Sequence, residues 1–491
     1  MKIYDPKVFT ANVRRPIEKI SSGTQGGFLI QADRRIFIAK ARNTTYNMNW
    51  DGLGGGNGSP LRRGINNAYE LVFPDEDGRL KDSGVYGQSA YALFGNGNLW
   101  TWGQNGHGQL GIGSTTNAVF PTLSNTNVRK VYTDCSQNMN GNSEQRLLIQ
   151  KTDGKIYGCG YNGERQLGLG NNTDQENWQV LDWIGVNPRS VWNLGSYQGC
   201  IIAQKNDNKI VASGDNSSGQ LGQGIVSSFE EQVDLTQAWF DGDEDYRLED
   251  IRFNGRFYKS DGSFSTNDGV SIIMLSRKAN STLTKLKVCG SNKYHANGLA
   301  DESSISTPVS PPGTWTDVKQ IATRGGNRTS VYALTNSNDL WGWGATPQGQ
   351  LGDGQAATST AEVITPKIVE TDVLHIFNTT GGTVEEAGNL TSPVILKADG
   401  HYITGANTGG QTGTRSTLDN VVNWTKIALP GDVRLKFVSE CYQSTNKPAV
   451  IGVDYDNNIW AWGSNGSFMI SAFDDDDFYQ PISMFPAALS S

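Results

Sequence analysis

The chain has 491 residues and a formal net charge of −8, and 59 residues, about 12%, are glycine, against roughly 7% in an average protein. Only 18% are charged, while Trp (13), Tyr (17) and Phe (17) are plentiful, which excludes a disordered chain; no stretch approaches the ~18 apolar residues of a membrane span. The acidic balance excludes a general nucleic-acid binder, whose affinity rests on Lys and Arg neutralising phosphates.

Along the chain, Met1 to Pro6 lacks the charged start and apolar core of a secretory signal. Phe28 to Asn57 then reads FLIQADRRIFIAKARNTTYNMNWDGLGGGN, whose FLIQADRRIFI resembles LLIQKTDGKIY from Leu147. Clearer copies follow: LWTWGQNGHGQLGIG from Leu99, IYGCGYNGERQLGLG from Ile156, IVASGDNSSGQLGQG from Ile210 and LWGWGATPQGQLGDG from Leu340. Weaker ones are LKVCGSNKYHANGLA from Leu286, HYITGANTGGQTGTR from His401 and IWAWGSNGSFMI from Ile459.

Aligned on the shared glycine, these give Gly103, Gly160, Gly214, Gly290, Gly344, Gly405 and Gly463, spaced 57, 54, 76, 54, 61 and 58 residues apart. Lys40 stands where the first copy needs its glycine, 63 residues before Gly103. Eight units are therefore counted. Each contains a β-rich run, a tight polar turn such as Thr152-Asp153-Gly154 or Ala398-Asp399-Gly400, and a short strand ending at the glycine. Asp-Gly between apolar runs is a hairpin signal, because glycine takes the positive φ of the turn. A further strand upstream, as in Val128-Arg129-Lys130-Val131, Val318-Lys319-Gln320-Ile321 and Ile17-Glu18-Lys19-Ile20, completes the pattern of a propeller blade.

The G-x-N-x-x-G-Q-L-G-x-G motif after an aromatic-x-W-G strand resembles the regulator of chromosome condensation repeat, over roughly residues 15 to 485. The resemblance implies a closed all-β propeller, with seven blades the family norm against the eight units counted here. The expectation is one propeller domain over residues 1–491, closed by its N- and C-terminal strands. Gln480 to Phe485 reads as a strand that pairs with the N-terminal unit and removes both exposed edges.

No catalytic constellation is legible. The five cysteines (135, 159, 200, 289, 441) form no C-x-x-C pair, so neither a disulfide framework nor a zinc site is indicated. Cys159 and Cys289 stand in the slot that Trp102 fills elsewhere and read as inter-blade packing. His107, His295, His375 and His401 make no metal motif, and His107 and His295 read as exposed loop residues. No cofactor and no metal are expected, and no enzymatic activity.

The widest spacing holds an insertion, about 225–269, and there the candidate partner-binding residues lie: Trp239, Phe240, Asp241, Asp243, Asp245, Tyr246, Phe253 and Tyr258. Aromatic side chains on loops bury much area at low entropic cost; the competing reading packs them against the propeller rim. Asp241, Asp243 and Asp245 mimic a calcium loop only partly, since Tyr246 and Arg252 stand where that loop needs Gly and Glu. The expected function is a non-enzymatic protein-interaction scaffold. Its Asn-, Gly-, Ser- and Thr-rich, charge-poor sequence resembles virion components (phage tail, baseplate or receptor-binding protein), with virion subunits or a host surface receptor as partners, no nucleic acid, no membrane insertion, and assembly in the host cytoplasm. The alternatives are a guanine-nucleotide exchange factor or other propeller acting on a small GTPase, which the family resemblance implies, and a protein inhibitor of an enzyme.

Overall fold

The computed structural model describes residues 16–483 apart from 23–26, 33, 41–68, 72, 88, 134–144, 196–198, 255–268, 325–328, 356, 359, 378–392, 442–448 and 465–476. Its 32 strands form eight four-stranded antiparallel sheets, each built from four strands consecutive in sequence. Blades 1 to 8 are β1–β4 (17–71), β5–β8 (80–125), β9–β12 (128–180), β13–β16 (190–234), β17–β20 (246–309), β21–β24 (318–370), β25–β28 (375–426) and β29–β32 (435–483). The first strands pack on one another around the ring: β9 on β13, β13 on β17, β17 on β21, β21 on β25, and β29 on β1. They form the inner wall. Second strands such as Ser89–Phe94 and Cys200–Gln204 are buried along their whole length, whereas fourth strands such as Gln175–Val180 have no fully buried residue and form the rim.

The counted glycines all lie at the end of a third strand or within two residues of it. Gly103, Gly160, Gly214, Gly290, Gly344 and Gly463 pair with the first residue of the preceding strand, respectively Ser89, Arg146, Cys200, Ser271, Ser330 and Ala449. In blade 1 the same register joins Gly27 to Lys40, so the degenerate first copy is a blade and the ring has eight. The glycine is required on two counts. Its φ lies between +92° and +134° in all seven clear units, a region closed to L side chains. A Cβ would also stand 2.4 Å from Gln145 O at Gly160 and 2.2 Å from Thr329 O at Gly344.

The residue just before the glycine faces the neighbouring blade and donates to its loop. Trp343 Nε1 donates to Ala296 O at 3.0 Å, Trp462 Nε1 to Gln411 O at 3.0 Å, Thr404 Oγ1 to Gly349 O at 2.7 Å and Ser213 Oγ to Arg165 O at 2.7 Å. The thiols of Cys289 and Cys159 make the same contact with Gly219 O and Gln109 O at 3.2 and 3.5 Å. Six units are thus stitched to the loop of the unit before. Burial pushes the Cys289 thiol up to about 12 and raises Cys159 further, so both stay neutral and serve as packing, as the sequence indicated.

In blades 2 to 7 the second residue after the glycine holds the loop shut. Asn105 Oδ1 accepts the Leu110 N–H at 2.9 Å while its amide donates to Ser114 O and Thr116 O. Asn162, Asn216, Asn292 and Asn407 repeat the arrangement, and in blade 6 the Thr346 hydroxyl accepts from the Leu351 N–H. A fully buried amide that satisfies three backbone groups closes an irregular turn that has no ladder of its own. The motif leucines Leu110, Leu167, Leu221 and Leu351 are fully buried below it; Leu110 packs with Leu147 and Cys159 of the next blade.

Ring closure differs from the expectation. Strand β32 (Phe478–Ser483) pairs with β31 (Ile459–Gly463) inside the last blade, not with the N-terminal unit. The physical reason is that β1–β4 already complete blade 1 from its own segment, while blade 8 needs β32 as its fourth strand. The terminal blades still close the ring, but through their faces: Ile17, Ile30 and Ala32 pack with Ala449, Ile451, Val453, Ile459 and Ala461, and the Ile17 N–H donates to Asn457 Oδ1 at 3.0 Å.

Two glycines of one unit separate steric need from backbone need. Gly170 has φ +74° and nothing within 4 Å of where a Cβ would stand, whereas Gly160 has φ +99° and a carbonyl at 2.4 Å. Gly170→Ala should cost about 1 kcal/mol and Gly160→Ala roughly 3 kcal/mol or more in chemical denaturation; equal costs would refute the steric argument.

Candidate partner-binding faces

The ring presents two faces of different character. The turns between second and third strands open on one face and hold two to five residues, as in 33–34 and 205–209. They are tied locally: Gly154 follows Asp153, whose carboxylate accepts from the Tyr157 hydroxyl at 2.8 Å, and Asn208, Asn338 and Asn457 take the positive φ that glycine takes there. First strands end and second strands begin at the opposite face, beside the motif loops, and the connections between them vary in length. They run from two residues (87–88) to thirteen (133–145) and sixteen (255–270 and 378–393). On the same face, 28 residues (41–68) join the third and fourth strands of blade 1, against 14 (104–117) in blade 2.

The insertion at 225–269 divides into several elements. It contains β16 (Ser227–Asp234), the short helix α1 (Thr236–Phe240), β17 (Tyr246–Asn254) and the connection to β18 (Ser271–Lys278). The extra length falls in two places, the helix between blades 4 and 5 and the sixteen residues between β17 and β18. Trp239, Phe240 and Tyr246 are 1%, 0% and 7% exposed, in one core with Leu221, Leu235 and Met274, and Phe253 packs on that core. Trp239 Nε1 donates to Leu221 O of its own unit at 2.8 Å, as Trp183 Nε1 does to Leu167 O in blade 3 at 2.9 Å. These aromatics pack the helix against the blades.

The acids beside them are engaged within the chain. Asp241 meets Lys287 and Lys285 at 2.5 and 2.8 Å, and Asp243 meets Lys278 at 2.9 Å. Lys285 and Lys287 also donate to Phe240 O and Ala238 O, so β19 (Thr284–Gly290) caps the helix C-terminus with cations. Asp245 is exposed. Tyr258 lies outside the described residues, as do the Thr44–Gly64 loop and most of the Asp474–Asp477 run.

The histidines depart from the loop expectation. His295 is only 8% exposed, and His107 is half-buried with its Nδ1 2.5 Å from Asp174 Oδ2 across the blade 2–blade 3 junction. His401 is buried, and its Nε2 accepts the Leu435 N–H of blade 8 at 3.2 Å; burial pulls its pKa down to about 4. Composition gave no sign of two further groups. Arg146, fully buried where other blades carry Ser, Cys or Ala, donates to Leu194 O of blade 4 at 2.7 Å. Asp215, 1% exposed, sits at the start of the blade 4 loop and accepts from Ser217 and Gln220. Burial pushes its pKa up to about 7, with Glu164 of the preceding unit acting in the same direction.

The raised Asp215 pKa has a definite sign in stability. Above pH 3.8 the unfolded chain ionises this group while the folded one holds its proton, so its contribution is full below that pH and is lost as pH rises through about 7. Asp215→Asn, which keeps an oxygen acceptor for Ser217 and Gln220, should remove that slope. It should stabilise the protein at pH 8 by on the order of 2–3 kcal/mol relative to its effect at pH 4. Parallel urea titrations at the two pH values check this, and a pH-independent effect would contradict it.

Known proteins share both the motif and the ring. Residues 96–138 match the regulator of chromosome condensation (RCC1) repeat family. The X-linked retinitis pigmentosa GTPase regulator of Canis lupus familiaris is 31% identical over 132 residues, which cover 26% of this chain and only 12% of that protein. The ultraviolet-B receptor UVR8 of Arabidopsis thaliana is 23% identical over 371 residues, 72% of each chain. Among solved structures, human WBSCR16 is similar in fold, with a TM-score of 0.50 at 17% identity over 79% of this chain and 94% of that one. Motif, register and relatives agree: the chain is an eight-bladed β-propeller of regulator of chromosome condensation-type repeats.

Proposed function

We propose that this protein is a non-catalytic scaffold that binds other proteins through its loop-variable face, and that it does so as a virion component of the tail, baseplate or receptor-binding kind. The observation that carries the binding face is the contrast in loop length: two to five residues in the hairpin turns of one face, and up to sixteen in the strand connections of the other. A rigid scaffold that varies its loops at one end concentrates recognition there. The composition supports the virion setting, being rich in glycine and only 18% charged.

A second reading has one specific support, the similarity to a relative named as a GTPase regulator. That match covers 12% of the relative, and fold likeness alone is a weak warrant for activity. The two readings differ in partner and share the face.

Cross-linking mass spectrometry in the native source distinguishes them. The expected result is links from 255–270 and 378–393 to tail or capsid proteins; links to a small GTPase would replace the virion reading with the regulatory one. Shortening both connections to four-residue Gly-Ser links should weaken partner binding at least tenfold while leaving the unfolding midpoint within a few degrees. Full binding by that variant would overturn the assignment of the face.

A further inference from the structure

We infer that His295, Glu302 and Glu362 form a binding site for a divalent transition-metal ion of the zinc class, joining the loop of blade 5 to the outer strand of blade 6. One ligand atom from each of the three lies within 4.8 Å of the other two, and they are the one such group among the described residues. Two come from the blade 5 loop, and Glu362 begins β24 (Glu362–Glu370).

The histidine is oriented for this role. Its Nδ1 lies 2.9 Å from Leu299 O. A carbonyl only accepts, so Nδ1 carries the proton, and in the neutral ring Nε2 presents a lone pair. That lone pair faces Glu362 Oε2 at 3.4 Å. A cation between them, a proton or a metal ion, would bind to both. The separation is long for a charge-assisted N–H···O bond, which runs about 2.7–2.9 Å. Zinc, at about 2.0–2.2 Å from nitrogen and carboxylate oxygen, fits between them with a modest approach of the third ligand. A backbone carbonyl that holds the remote ring nitrogen is the usual outer partner of a metal-bound imidazole.

The third ligand is also placed. Glu302 Oε1 accepts the Tyr294 N–H at 3.0 Å, which keeps the exposed carboxylate beside the ring. Its exposure leaves room for water in a fourth position. An imidazole nitrogen among the donors favours zinc, cobalt or nickel over calcium or magnesium.

The repeat supplies an internal comparison. The fifth residue after the motif glycine is Gly108, Gly219, Gly349 or Gly410 in other units, with φ from +73° to +80°. His295 occupies that place at φ +55°, and Tyr294 before it has φ +56°, two successive side chains in a conformation that disfavours them. In blade 3 the same place holds Arg165, which reaches Glu231 on the next rim strand at 3.2 Å. Where glycine is given up, a side chain crosses to a carboxylate of the following blade. In blade 5 it is a metal-ligating type with a second carboxylate alongside.

Zinc chloride titrated into chelator-treated full-length protein, followed by calorimetry and thermal unfolding, tests the site. One ion per chain should bind with a Kd of about 10 μM or tighter and raise the unfolding temperature. His295→Gly restores the residue that four other units use, so it should fold with an unchanged or higher metal-free midpoint yet lose the one-equivalent binding. Glu362→Gln should weaken binding at least tenfold, and His107→Ala should leave it unchanged. Absence of one-equivalent binding, its survival in His295→Gly, or its loss in His107→Ala would each overturn the assignment.

Discussion

The structure depends on one repeated contact: in six units the residue before the motif glycine donates a hydrogen bond into the loop of the preceding unit. That contact exists because the glycine at the strand end has a φ near +100° and no Cβ, which turns the chain sharply and brings the loop over the next blade. Trp, Cys, Ser and Thr all serve in the slot, since each offers a donor and fits between sheets. The acceptor is always backbone, so the contact tolerates divergence in the loop that receives it. A loop without helix or ladder needs internal satisfaction of its polar groups, and the buried Asn two residues after the glycine provides it.

This arrangement leaves the two ends of the ring with different freedom. The hairpin turns must return the chain within a few residues, so they stay short and glycine- or Asn-bearing. The connections between first and second strands emerge beside loops that are already clamped, so their length is unconstrained by the contact that holds the blades. Variation therefore accumulates on one face. Loop extension there costs little, because closure entropy grows only with the logarithm of length.

The acidic and aromatic insertion shows why composition misleads about a surface. Asp241 and Asp243 look free in the sequence, but Lys278, Lys285 and Lys287 come from β18 and β19, more than thirty residues later. Together they anchor the helix that carries the chain from blade 4 to blade 5. Trp239 then ties the helix to the loop of its own unit, donating to the Leu221 carbonyl as Trp183 does to Leu167 in the unit before. Of the eight candidates only Tyr258 falls in the segment that joins β17 to β18, outside the described residues.

The sequence by itself determined the number of units, their length, the identity of the turn-forming glycines and the burial of the slot residues. Each of these follows from local chemistry repeated at fixed spacing: a φ near +100° with backbone atoms where a Cβ would stand needs glycine, and a buried ring or thiol needs an apolar neighbour. Even Lys40 was located by spacing alone, and the register with Gly27 bears that out. Tertiary structure alone decided the closure of the ring, the burial of His295, Arg146 and Asp215, and the pairing of the insertion acids. These depend on groups far along the chain, 35 residues away for Asp243 and Lys278 and 440 for Ile17 and Asn457. Local pattern carries no record of which distant group will face a side chain once the eight sheets have closed into a ring.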